Sequence, residues 1–114
     1  MATRYYLRLP DPAQARGTDP AFAFHSEGAQ GLASELQAAL AEPGFFERWV
    51  AAQEDPEAVP SGLAGVDPSA TVSGSQQDLV IELVVTTSLS GSAFKHRLRL
   101  LAGSGWELRD VRAA

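Results

Sequence analysis

Two histidines, His25 and His96, and the carboxylates that could reach them are where chemistry can begin in this 114-residue chain. The chain has no cysteine, which removes thiolate catalysis, disulfides and thiolate-held metals. His96 falls in the alternating run Phe94, His96, Leu98, Leu100, and the run reads as a strand with its imidazole on the apolar side. If Leu100 opposes Trp106 and Leu98 opposes Leu108, Asp110 comes to lie across from His96. A carboxylate there would hold one tautomer and favour the charged imidazole, as it does when orienting a general base. Phe45, Phe46 and Trp49 recur at helical spacing and could line a pocket against the same face. His96, Asp110, Trp49 and Phe46 are therefore the candidate ligand-binding residues. The competing reading is structural: a histidine satisfied by Asp110, and aromatics that fill a core.

No nucleophile completes a catalytic set, so no catalytic residue is assigned. His25 stands 71 positions from His96, beside Ser26 and Glu27. That separation has no metal-ligand spacing, so His25 reads as a surface residue and no metal or other cofactor is expected. Phosphate-binding glycine loops, His-Glu-x-x-His and Gly-x-Ser-x-Gly are missing from the sequence.

The elements that must position these residues follow from periodicity. Arg4 to Leu9 alternates as a first strand, with Tyr5, Leu7 and Leu9 on one side, and Pro10 and Pro12 stop it. Ala21 to Phe24 reads as a short strand or an extended approach to a helix. Ser26 is the expected N-cap of a helix with Leu32, Leu36 and Leu40 on its apolar stripe. Pro43-Gly44 breaks it, and a second helix is expected from about Phe45 to Gln53. Residues 54–69 hold three prolines and four acids without a period, predicting a long loop that is either a lid or an acidic connector. Thr71 to Gly74 opens a strand.

Residues 78–112 read as three antiparallel strands. Pairing Val85 with Phe94 sets Leu83 opposite His96, Ile81 opposite Leu98 and Leu79 opposite Leu100. It also sets Glu82 opposite Arg97, and the last hairpin sets Arg99 opposite Glu107. The fold class expected is one α+β domain over 1–114. Its antiparallel sheet of four to five strands carries one or two helices on one face. The expected core is Leu32, Leu36, Leu40, Trp49, Leu79, Ile81, Leu83, Leu98, Leu100 and Leu108.

Composition narrows the function classes. An apolar content of 45% with 20% charged residues is that of a globular chain and not of a disordered one. The net charge of −5 is concentrated in residues 17–74, which carry nine acids and one arginine. Such a middle repels nucleic acid and anionic lipid. The arginines of the outer sheet face lack aromatic companions other than Tyr6, so a base-stacking platform is not expected. No apolar run is long enough to span a bilayer and no secretory signal is seen, which makes cytoplasmic the default location. Val80 and Val84 share the outer face with charges, and they predict a homodimer through that face or contact with an unidentified protein partner.

The segment Phe94 to Val111, in which an apolar strand turns through glycine and restarts at Trp106, resembles the terminal hairpin of NTF2-like domains, and the helix-then-strands order resembles cystatin-like architectures as well. The resemblance implies a curved sheet around a helix, a cone-shaped pocket and frequent dimerisation. Two functions follow as expectations. One is a non-enzymatic interaction or accessory domain of bacterial type. The other is a small-molecule-binding protein or NTF2-like enzyme with a helix–sheet pocket at His96 and Asp110.

Overall fold

A computed structural model describes residues 2–114. The period-two pattern of the N-terminus forms strand β1, Thr3–Leu9, with Tyr5, Leu7 and Leu9 buried as expected. Helix α1 (Ala29–Ala41) buries Leu32, Leu36 and Leu40, and the short helix α2 (Gly44–Ala51) buries Phe46. Strands β2 (Thr71–Gln77) and β3 (Val80–Thr87) form a hairpin whose turn places Asp78 at φ 56°. Helix α3 (Gly91–Ala102) and strand β4 (Glu107–Ala113) complete the chain.

The four strands form one antiparallel sheet in the order β2-β3-β1-β4. The α+β class is therefore as expected. The connection, however, is two interleaved β-α-β units, the split βαβ or ferredoxin-like arrangement. β3 lies between β1 and β2 of the first unit, and β1 lies between β3 and β4 of the second. Ile81, Leu83 and Val85 oppose Leu9, Leu7 and Tyr5, and these six residues make the floor on which the helices sit.

The main departure from the sequence reading is residues 91–102, which are helical. The run Phe94, Leu98 and Leu101 satisfies the i, i+4, i+7 stripe of a helix as well as Phe94, Leu98 and Leu100 satisfies a strand. Local signals decide between them. Ser90 is an N-cap whose side chain accepts from the Ala93 N–H at 3.2 Å, and Gly103 ends the helix at φ 62°, where its amide donates to the Arg99 carbonyl. Both expected hairpin registers disappear with the strand. Glu82 opposes Arg8 in place of Arg97, and Glu107 also opposes Arg8 in place of Arg99. The terminal hairpin that carried the NTF2-like resemblance is not formed.

Smaller corrections follow from local geometry. Ala21 to Phe24 is a turn, with Phe22 and Ala23 amides on the Asp19 carbonyl, although both phenylalanines are buried. Ser26 is not the N-cap of α1. That position is Gly28, and the Ser26 and His25 amides are instead held by the Glu35 carboxylate at 2.6–3.1 Å. Leu79 lies in the hairpin turn and is 79% exposed, and Leu108 on the edge strand is 39% exposed, so neither belongs to the core. Trp49 and Leu100 are half-buried. Tyr5, Leu7, Leu9, Phe24, Phe94 and Leu101 take their place, with the Phe94 ring stacked on Tyr5 at 4.2 Å.

Gly74 shows how closely α1 lies on β2. A Cβ at this position would stand 2.5 Å from the Ala29 carbonyl oxygen, and that oxygen belongs to backbone that cannot swing aside. Two stability measurements check this packing. Leu98→Ala removes a side chain with no exposed surface and is expected to lower unfolding free energy by ~2–5 kcal/mol. Gly74→Ala adds one methyl yet is expected to cost ~1–3 kcal/mol through overpacking. Denaturation midpoints within error of the parent for either variant would contradict the helix–sheet contact described.

Candidate functional site

Three of the four candidate residues meet, and the fourth does not. His96 projects from α3 against α2, where its ring stands edge-on to Trp49 at 4.3 Å and 72° and to Phe46 at 6.1 Å and 76°. Asp110 lies on β4 opposite Tyr6, on the sheet face that carries no helix. Its carboxylate accepts from the Arg112 Nε at 2.7 Å and the Val111 amide at 2.8 Å. The expected histidine–carboxylate pair is therefore absent. Its premise was a strand at residues 94–100, and the helix there turns His96 toward α2.

Without that carboxylate the imidazole is governed by its surroundings. Burial lowers the His96 pKa from its ordinary 6.5, and the positive charges of Arg97 and Arg99 lower it further. The ring is neutral at pH 7, and its Nδ1 has no hydrogen-bond partner. The neutral imidazole is packed edge-on against two aromatic rings.

The residue that sequence reasoning placed wrongly, and that matters most here, is Arg97. It was expected on a solvated sheet face, and it is fully buried in the structure. Its guanidinium donates to the carbonyls of Ala39 at 3.2 Å, Leu63 at 3.2 Å and Gly65, and it lies over the Phe46 ring at 5.0 Å. These hydrogen bonds all end on carbonyl oxygens. The Ala39 carbonyl lies in the last turn of α1, where unpaired carbonyls and the negative end of the helix dipole favour a cation. Burial lowers the Arg97 pKa from a value high enough that the charge is kept. The helical spacing of Ala93, Arg97 and Leu101 on one stripe was the available signal.

Arg97 also settles the character of the long loop. Residues 54–69 contain two single turns, Pro56–Ala58 and Ser61–Leu63, and the second is held by Arg97. Asp67 anchors the far end. This buried carboxylate accepts from the Ser88 amide at 2.8 Å, the Thr87 hydroxyl at 2.9 Å and the Ser69 amide at 3.1 Å, and the Asp67 amide donates to Leu40 at 2.8 Å. The Ser88 amide above all, with the Thr87 hydroxyl, holds its pKa below the ordinary carboxylate value despite burial. A loop fastened at Leu63, Gly65 and Asp67 is a strut across the helix layer.

His25 is exposed. Burial acts to raise the pKa of Glu35, but the Ser26 side chain and the His25 and Ser26 amides together outweigh it and hold the carboxyl below its ordinary value. Among the described residues, no group of three metal-ligating side chains comes together.

A cleft of about 670 Å³ lies on the helix-free sheet face. It is lined by Tyr6, Arg8, Glu82, Val84, Asp110 and Arg112, among others. His96, Trp49 and Phe46 do not line it. No helix among the described residues is long and apolar enough to cross a membrane. No family model, curated protein or solved structure matches this chain, and no comparison supports the NTF2-like or cystatin-like resemblance.

Two outcomes check this description. Arg97→Met should destabilise by ~1–3 kcal/mol, chiefly through the buried Ala39 carbonyl left unpaired, and Arg97→Lys should recover only part of that loss, since an ammonium lacks the planar fork that reaches three carbonyls. Equal stability of parent and Arg97→Met would contradict the clamp. For His96 the folded pKa is the lower one, so the unfolded chain binds more protons just below pH 6.5. Stability is complete above that pH and falls as acid is added, until the folded pKa is passed. His96→Phe should flatten the slope in this window, while Asp110→Asn should leave the His96 NMR titration unchanged.

Proposed function

We propose that this chain is a non-enzymatic interaction domain that self-associates through the helix-free face of its sheet. The carrying observation is the make-up of that face. Tyr6, Val80 and Val84 form a half-buried apolar strip across the two central strands, and the cleft they line is bordered by strand and turn residues, with the Arg112 guanidinium over the Tyr6 ring. Around the strip stand Arg4, Arg8, Arg109 and Arg112 against Asp78, Glu82, Glu107 and Asp110, four charges of each sign. A face with balanced charge is suited to a second copy of itself, because a two-fold axis brings each sign to the other. The one ion pair across strands, Arg8 to Glu107 at 3.9 Å, is exposed, adds little to stability and is free to exchange partners.

The same composition argues against a nucleic-acid platform, since Tyr6 is the lone aromatic there and lies under the Arg112 guanidinium. The small-molecule or NTF2-like reading loses its support. Its pocket required His96 and Asp110 on one face, and the hairpin that suggested it is a helix and an edge strand.

Sedimentation equilibrium tests the proposal. The parent is expected to associate at micromolar concentration, and Val84→Glu, which sets a charge in the middle of the strip, is expected to weaken that association at least tenfold. Circular dichroism should remain unchanged. A parent that stays monomeric at high micromolar concentration, or association untouched by Val84→Glu, would overturn the proposal.

A further inference from the structure

The edge strand β4 carries exposed apolar side chains that the face contact leaves uncovered. Leu108 is 39% and Val111 47% exposed. They oppose Leu7 and Tyr5, which places both on the helix side of the sheet, the face turned away from the proposed face contact. Residues three apart in a regular strand point to opposite sides. These two share a side because the register shifts between Tyr6 and Leu7, leaving Arg109 as an extra residue in β4. The bulge thus assembles an apolar pair at the rim of the helix layer, beyond the cover of α3.

The strand sequence is complementary to itself. Read antiparallel against a second copy about a centre between Arg109 and Asp110, Glu107 meets Arg112, Leu108 meets Val111 and Arg109 meets Asp110. Every opposed pair across six positions is then apolar with apolar or acid with base. The bulge makes this register physically consistent. A two-fold axis perpendicular to the sheet requires opposed residues to share a face, and Leu108 with Val111 do so only because of the extra residue. Glu107 and Arg112 likewise both lie on the helix-free side.

The free edge also has its donor turned outward. The Ala114 amide donates to the Ala2 carbonyl, so by the alternation of an antiparallel ladder the Asp110 and Arg112 amides face β1 and the Val111 amide faces away. That amide is held by the Asp110 side chain at 2.8 Å, a local cap that also blunts the edge in the isolated chain.

We propose that two copies pair β4 against β4 in this register, joining their sheets into one of eight strands and burying a cluster of two Leu108 and two Val111 side chains on the helix side. This contact differs from the face contact in that its apolar residues point the other way and its two-fold axis runs perpendicular to the sheet, while Glu107, Asp110 and Arg112 border both.

The chain has no cysteine, so disulfide trapping reads the register directly. Chains carrying Leu108→Cys and chains carrying Val111→Cys are oxidised separately and as an equimolar mixture. Directly opposed positions lie ~4.5–5.5 Å apart between Cα atoms, within disulfide reach. A residue and its own copy would be offset by three positions, about 10 Å, and beyond it. The mixture is expected to give several-fold more linked dimer than either variant alone. Val111→Pro removes the outward donor together with its bond to the Asp110 side chain, and it should abolish association in a Val84→Glu background while leaving circular dichroism intact. The Val84→Glu background alone should keep the mixed disulfide, which separates failure of the face contact from failure of the edge contact. A mixture that links no better than the single variants, including one in which a different protein or a different strand occupies the edge, would overturn the proposal.

Discussion

A buried guanidinium holds the helix layer of this protein together. Arg97 reaches from α3 to the last turn of α1 through Ala39, to the loop through Leu63 and Gly65, and to α2 through the face of Phe46. Three segments besides α3 itself converge on one planar group. An isolated buried charge is expensive. Here the opposing charge is spread over carbonyl dipoles and the end of a helix, with no single carboxylate supplying it. The arrangement suits arginine and not lysine, because a planar fork can address several acceptors at once while remaining charged. It also explains why a loop of sixteen residues can cross the helices without a core of its own.

The second constraint is the one-sidedness of the sheet. Both β-α-β halves return their helices to the same face, so that face supplies the floor of the core, and the other is left to solvent or to a partner. The consequences differ between strands. On β1 and β3 the inner residues are covered. β4 lies outside the helical cover, so its inward residues, Leu108 and Val111, remain exposed on a face that elsewhere is core. A bulge places them on the same side, with charges of both signs around them.

The candidate site was legible in part. Phe46, Trp49 and His96 were identified from residue type and spacing, and they do meet. The partner assigned to His96 was wrong because cross-strand arithmetic is only as good as the strand it assumes. Phe94 and Leu98 are consistent with period two and with period four alike, and the choice between them rests on which third residue is taken, Leu100 or Leu101. The cap at Ser90 and the stop at Gly103 were present as signals, yet Ser-Gly and Gly-Ser pairs are also ordinary hairpin turns. One change of period moved Arg97 from a solvated face to the most buried charge in the chain.

What the sequence determined by itself is what short-range periodicity and stereochemistry dictate. This covers the alternation of Tyr5, Leu7 and Leu9, the stripe of Leu32, Leu36 and Leu40, the break at Pro43-Gly44, the inward set Ile81, Leu83 and Val85, and hence an α+β chain with a one-faced antiparallel sheet. These hold because each follows from neighbours a few residues away. Tertiary structure alone decided which strands pair, that β1 would lie at the centre between β3 and β4, and that Asp67, Arg97 and Gly74 would be fixed by backbone from remote segments. Such choices are made by burial of complementary faces over separations of tens of residues. No local pattern records which carbonyl a buried arginine will find, or which edge the helices will leave uncovered.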